Sequence, residues 1–313
     1  AKLNKKTDTR RLVILVVGET ARADHMSLNG YDRNTNPYLE KEEIISFDKM
    51  TSCGTDTALS VPCMFSLLDR SSYNHAKGKN MSNVLDIISH AGVSVLWLDN
   101  NSSSKSVADR ITFKDYRSSK LNSICNPECR DEGMLTNLQG FIDEQNNKDI
   151  LIVMHSMGSH GPAYYKRYPN AFEVFLPACQ TNQLNECTDE EISNAYDNTI
   201  LYTDYFLSKV ITLLKNNSQD SDTAMFYISD HGESLGEGGL YLHGMPYFMA
   251  PEEQIKIPAF MWFDEGLKKV FDIESIKKNS ELEKSHDNLF HTLLGLMDVE
   301  TELYQKDMDI ATK

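Results

Sequence analysis

Four short apolar runs recur along the chain, and each ends in polar residues. They are RLVILVVGE (residues 11–19), VSVLWLD (93–99), DILIVMH (149–155) and TAMFYISDH (223–231). Unbroken apolarity rich in β-branched residues is the pattern of strands covered on both faces. Helical spacing lies between them. Residues 58–68 are helix-compatible, with Pro62 tolerated near the first turn. MSNVLDIISHAG (81–92) ends in a stop-signal glycine. Residues 190–217 predict a long amphipathic helix with Ile192, Ala195, Ile200, Phe206, Val210 and Leu213 on its apolar side. IKIPAFMWF (255–263) reads as a further strand, its Pro258 pointing to an edge or an irregularity, and residues 286–297 as a late helix. Strands alternating with helices predict a three-layer α/β/α sandwich with a mainly parallel sheet. In such sheets ligands bind beyond the carboxyl ends of the strands, so the polar residues there are the place to look for chemistry.

There is no internal repeat. NNSSSKS (100–106) and KNNSQDSD (215–222) read as short loops, and a single domain over 12–313 is expected. The polar, basic opening AKLNKKTDTRR (1–11) reads as a linker, and the chain as a soluble piece of a longer protein or a processed secreted one. No window has the roughly 18 apolar residues of a membrane span. Among 313 residues the formal charge is −15, which argues against nucleic acid and against adhesion to anionic lipid. An anionic substrate would therefore need a local positive charge such as a metal.

Six cysteines fall into three close pairs: Cys53 and Cys63, Cys125 and Cys129, Cys179 and Cys187. An even count in local pairs suggests disulfides in an oxidising compartment, adjacent pairing being the most economical. Zinc binding by thiolates is the rival reading, but the chain has no CxxC pair and no histidine at finger spacing.

Glu19 ends the first apolar run and Asp230–His231 end a later one. Singly, such residues are more often caps or solvated turns. Together, at the ends of strands expected to be neighbours, they make three zinc ligands with a fourth position open. SCGTDTALSVPC (52–63) offers a threonine hydroxyl for that position, at Thr55 or Thr57. Threonine is a weak nucleophile that a metal can activate, and a helix beginning near Ala58 adds N–H groups suited to a phosphate oxygen. A Cys53–Cys63 bridge would hold that turn in place.

VVGETARADHMSLNGYDRNTNP, SCGTDTALSVPCMFS, GSHGPAYYKRYP and ISDHGESLGEGGLYLHG occur in this order over most of the chain. They resemble the lipid A phosphoethanolamine transferases, the family of the mobile colistin-resistance enzymes. The resemblance implies an alkaline-phosphatase/sulfatase-like sandwich. It implies the periplasmic catalytic domain of an inner-membrane protein whose N-terminal transmembrane domain is not in this sequence. By motif, Glu19, Thr57, Asp230 and His231 match the family's zinc ligands, and Thr57 matches the nucleophile. His160 and His243 match histidines near the substrate or a second metal. Lys105 matches a lysine that touches the phosphate. The order of the cysteines fits the pairs Cys53–Cys63, Cys125–Cys129 and Cys179–Cys187. His155, His286 and His291 read as structural, and Glu233 and Glu237 as solvated loop carboxylates.

The resemblance implies a two-step transfer. Thr57 takes phosphoethanolamine from phosphatidylethanolamine, and a lipid A phosphate then removes it. The product carries less negative charge and binds polymyxins such as colistin less strongly. One zinc ion is expected at the nucleophile, the number beyond it being left open, and a monomer is expected for the fragment. A sulfatase would need C-x-P-x-R, which follows neither Cys53 nor Cys63. A two-metal phosphomonoesterase would have serine where Thr57 stands. A phosphoethanolamine or phosphoglycerol transferase acting on another envelope glycan remains the alternative, since the acceptor lies outside the motifs. A catalytically silent binding domain is the reading from another class.

Overall fold

In a computed structural model, residues 1–4, 9–311 and 313 are described. The central sheet has eight strands: β1 (Arg10–Gly18), β2 (Ile45–Thr51), β3 (Ser94–Asp99), β4 (Thr112–Asp115), β5 (Ile150–His155), β6 (Ser221–Ser229), β7 (Lys256–Phe263) and β8 (Lys284–Ser285). Their spatial order is β8-β2-β7-β6-β1-β5-β3-β4. All pairings are parallel except those of β7, which runs antiparallel to both neighbours. The expected mainly parallel sandwich is what forms.

Five helices matter for the site: α1 (Thr57–Met64), α2 (Val84–His90), α3 (Leu138–Glu144), α4 (Asp189–Asn217) and α5 (Leu289–Leu296). Alternate residues of β1 point to opposite faces. Val13, Leu15 and Val17 pack with Val61 and Met64 of α1, Ile88 of α2 and Leu293 of α5. Leu12, Ile14 and Val16 pack with Ile142 of α3 and Phe206 and Val210 of α4. Both faces are covered, which is why β1 reads as an unbroken apolar run.

Pro258 lies in an internal strand, which corrects the edge reading. The irregularity is real, since the register of β7 against β2 shifts between Ile257 and Ala259, around the residue that has no N–H to give. The long helix is also less simply amphipathic than its sequence suggests. Asn194, Asp197, Asn198 and Asp204 on α4 are buried. The segment after β1 and the one before α4 wrap that polar side. His25, Tyr31 and Arg33 all bond the Asp197 carboxylate, at 2.6, 2.8 and 3.0 Å. The N–H groups of Tyr38 and Leu39 donate to Asp204, and those of Val174 and Phe175 to Asn198.

The stretch read as a linker includes residues 5–8, which lie outside the described residues. Around them, Lys2–Leu3 pairs with Val299–Glu300, and β1 already begins at Arg10. All six cysteines are paired in the expected adjacent pattern. Among the described residues, no helix is long and apolar enough to cross a membrane.

Candidate active site

β1 and β6 run side by side with Gly18 opposite Ser229, so the residues that follow, Glu19 and Asp230, emerge at the same sheet edge. His231 comes next. The ligand atoms of Glu19, Asp230 and His231 all lie within 4.8 Å of one another, and the three residues are fully buried. The His231 Nε2 is 3.4 Å from Glu19 Oε1 and 3.5 Å from Asp230 Oδ2. His231 Nδ1 bonds the Gly232 carbonyl at 2.8 Å, so Nδ1 carries the proton and Nε2 faces the carboxylates.

Thr57 is the first residue of α1, one position earlier than its sequence suggested, with Asp56 as N-cap accepting from the Leu59 N–H. Its hydroxyl donates to Glu19 Oε2 at 3.0 Å and lies 3.3 Å from His231 Nε2. The first N–H groups of the helix, at Thr57 and Ala58, have no intrahelical partner and are suited to an oxyanion. Thr55 does a different job. Its hydroxyl donates to the Met245 carbonyl at 2.6 Å, tying the turn that precedes Thr57 to the loop that carries His243.

The donor set fits a divalent cation. Asp230 Oδ2 is buried without a hydrogen-bond partner among the described residues, while Oδ1 accepts from the Thr20 and His231 N–H groups. Burial pushes Glu19 up, but the hydrogen bond and charge of His231 prevail and hold it well below the usual carboxylate range. Burial and the charge of Glu19 push Asp230 up to about 6. Burial opposes the charged imidazole of His231, yet Asp230 and Glu19 push it up to about 10. Two buried carboxylates thus favour a proton on His231 between them, a role a metal ion would fill better.

His243 and His160 line the approach. The His243 ring is 4.4 Å from that of His231, and the His160 ring is 5.9 Å from that of His243. Lys105 is not brought into this hydrogen-bonded set. Its ammonium is 3.5 Å from the Ser102 carbonyl, in a shallow cleft lined also by Pro62 and Tyr73.

Several site residues escape sequence reading. Asn101 donates to Glu19 Oε2 at 2.6 Å and to the Ser156 carbonyl, although it lies in a stretch that reads as a polar loop. Its only signal is its position two residues past the end of β3. Glu233 is fully buried, which corrects the solvated reading; it bonds His243 Nδ1 at 2.9 Å and accepts from the Tyr164 hydroxyl. Glu237 is partly exposed and pairs with Arg22. His155 is buried against Asp99, 3.0 Å away.

His286 is structural, as expected, and braces the site from behind. Its Nε2 donates to the Ser229 carbonyl at 2.8 Å, so Nδ1 accepts the Cys53 N–H at 2.9 Å. Burial pushes this imidazole down to about 4. A histidine held neutral stabilises the fold fully above its unfolded value near 6.5, and that contribution is lost as pH falls from there to about 4. The loss should amount to roughly 3 kcal/mol. Denaturant unfolding from pH 7.5 to 4 measures it, and the stability difference between wild type and His286→Gln should shrink by that amount. A difference that stays flat with pH would rule the assignment out.

The fold is of the alkaline-phosphatase/sulfatase type: an eight-stranded mixed sheet carries an acid–acid–histidine cluster at its carboxyl edge, facing the hydroxyl on the first residue of α1. The chain belongs to the sulfatase family, whose description, Sulfatase, matches residues 11–299, and within it to the phosphoethanolamine transferases. It is similar to phosphatidylethanolamine transferase Mcr-1 of Escherichia coli, 50% identical over 304 residues, covering 94% of this chain and 55% of that protein. The soluble domain of lipooligosaccharide phosphoethanolamine transferase A from Neisseria meningitidis superposes with a TM-score of 0.95 at 44% identity, covering 99% of this chain and 95% of that one. An integral membrane form of the Neisseria protein gives the same score, and there this chain covers 59%. The chain thus spans about half the length of the curated relative it matches. The family name denotes the fold, since the C-x-P-x-R of sulfatases is absent here.

Proposed function

We propose that residues 12–313 are the periplasmic catalytic domain of an inner-membrane phosphoethanolamine transferase. It moves phosphoethanolamine from phosphatidylethanolamine to a lipid A phosphate through an adduct on Thr57. The observation that carries this reading is the Thr57 hydroxyl, set at the start of α1 within 3.0 Å of Glu19 and 3.3 Å of His231. The names of the relatives support it, for they specify this donor for one and a lipooligosaccharide acceptor for another.

Glu19, Asp230, His231 and the Thr57 oxygen would hold a zinc ion. When bound it supplies Lewis acidity, lowering the pKa of the hydroxyl and offsetting charge on the phosphoryl oxygens. The chain's own residues do the rest. Glu19 accepts the Thr57 hydrogen bond and orients the oxygen. Attack forms the Oγ–P bond as the hydroxyl proton is released to solvent, and breaks the bond from phosphorus to the diacylglycerol oxygen. His160 or His243 protonates that leaving oxygen. An acceptor phosphate oxygen then attacks the same phosphorus, the Oγ–P bond breaks, and Oγ takes up a proton to restore the hydroxyl. The acceptor gains an ammonium group, loses net negative charge and binds cationic peptides of the polymyxin type more weakly.

Intact mass after incubation with zinc and detergent-dispersed phosphatidylethanolamine tests the reading. The expected result is a gain of one phosphoethanolamine group per chain. Zinc-loaded protein that stays at its original mass would count against it.

A further inference from the structure

In the row His231–His243–His160, two rings have hydrogen-bonding partners and one has none. His231 bonds the Gly232 carbonyl and His243 bonds Glu233. No hydrogen bond holds the His160 ring among the described residues, so its place depends on its backbone. That backbone is gripped from outside. Arg167 Nε donates to the His160 carbonyl at 2.6 Å, and its Nη1 meets the Glu128 carboxylate. Arg130 returns the link, donating through Nη1 to the Lys166 carbonyl at 2.6 Å. Asp131 accepts the Met157 and Gly158 N–H groups at 2.7 and 2.9 Å.

Glu128, inside the loop closed by Cys125–Cys129, and Arg130 and Asp131, which follow it directly, therefore hold the segment 157–167 at its start and its end. The same segment leans on the metal-ready cluster. Gly158 has φ +50, and a Cβ there would come within 2.8 Å of the Glu19 carbonyl oxygen. The Ser159 N–H donates to that oxygen at 3.0 Å.

We propose that Arg167 is a positioning residue for His160: its guanidinium bridges the His160 carbonyl and the Glu128 carboxylate, making the Cys125–Cys129 loop the outer wall that fixes the His160 ring opposite His243. The side chain of Arg167 is only 11% exposed, so the bridge is largely shielded from solvent. A guanidinium is rigid and planar and reaches two acceptors at once, whereas a lysine ammonium on a flexible stem does not reproduce that fork. The expected effect on phosphoryl transfer rests on the role given to His160 under the proposed function. The positioning itself does not.

The test uses the full chain with isotope-labelled histidine rings, read by NMR, in wild type, Arg167→Gln, Arg167→Lys, Glu128→Gln and Glu128→Ala. Arg167→Gln should broaden or split the His160 ring signal and displace that of His243, leaving His25 and His286 in place. Arg167→Lys and Glu128→Ala should behave like it. Glu128→Gln keeps an acceptor oxygen and should retain the wild-type His160 signal. In parallel, the rate of adduct formation on Thr57 should fall about 10-fold to 100-fold in Arg167→Gln. An unchanged His160 signal in Arg167→Gln would overturn the proposal. So would a displacement shared by all the histidine signals, which reports general loosening. Failure of the proposed function looks different: no adduct forms even on wild type, while the His160 signal still responds to Arg167.

Discussion

Thr57→Ala should leave the chain without any phosphoethanolamine adduct and lower transfer by about 10⁴-fold or more, the scale on which removal of a nucleophile acts. The substitution deletes the one hydroxyl placed between Glu19 and His231. Thr55 cannot stand in, because its hydroxyl is bonded to the Met245 carbonyl and belongs to a different contact. The fold should not suffer. Thr57 is a first-turn residue of α1, and alanine is the better helix former, so stability should change by less than about 0.5 kcal/mol. Thr57→Ser keeps an oxygen at the same place and should still form the adduct. Intact mass and thermal unfolding on the three proteins decide the matter. An adduct that persists on Thr57→Ala would move the nucleophile elsewhere.

Asp230→Asn should separate stability from metal binding. Without an ion, Asp230 is a second carboxylate buried beside Glu19, pushed up to about 6 by burial and by that neighbour. A raised carboxyl pKa destabilises the ionised protein: the penalty is absent below the unfolded value near 4, grows as pH rises through about 6, and reaches roughly 3 kcal/mol at neutral pH. Asparagine keeps the oxygen that accepts from Thr20 and His231 and removes the charge. Chelator-treated Asp230→Asn should therefore be more stable than chelator-treated wild type at pH 7.5, and the gain should vanish near pH 4. Zinc affinity should fall by at least about 100-fold, since a charged ligand outweighs the outer partners whose loss already costs that much. Calorimetric titration with zinc and unfolding at the two pH values measure both. A variant less stable than wild type without metal, or one that binds zinc unchanged, would contradict the assignment of Asp230.

Much of this was legible in the sequence because burial on both faces leaves an unmistakable mark. β1, β3, β5 and β6 are continuous apolar runs, and their polar ends supplied Glu19, Asp230 and His231. What stayed hidden depends on partners distant in the chain. Asp197 looks like a surface residue of a long helix, yet it is buried under His25, Tyr31 and Arg33 from the block after β1. Much of that block, which carried part of the family resemblance, serves to clamp α4. Glu233 reads as a solvated acid in a glycine-rich loop, and only the roof formed by Tyr164 and His243 makes it a buried partner. Lys105, which the motif suggested for phosphate contact, has its ammonium 3.5 Å from the Ser102 carbonyl.

The disulfide beside Thr57 has a consequence for how the protein would withstand removal of a bound ion. Cys53 and Cys63 close a ring with a sequence separation of 10, whereas Thr20 and Asp230, which meet at the cluster, stand 210 residues apart. The Thr57 turn is shaped by a covalent ring, and the carboxylates by the pairing of β1 with β6 under a full hydrophobic core. Both are built from covalent and hydrophobic contacts rather than from metal bonds, unlike small domains that unfold when stripped. The apoprotein is thus a durable, reloadable vessel: chelation should silence it without denaturing it, and returning the ion should restore it with no refolding step.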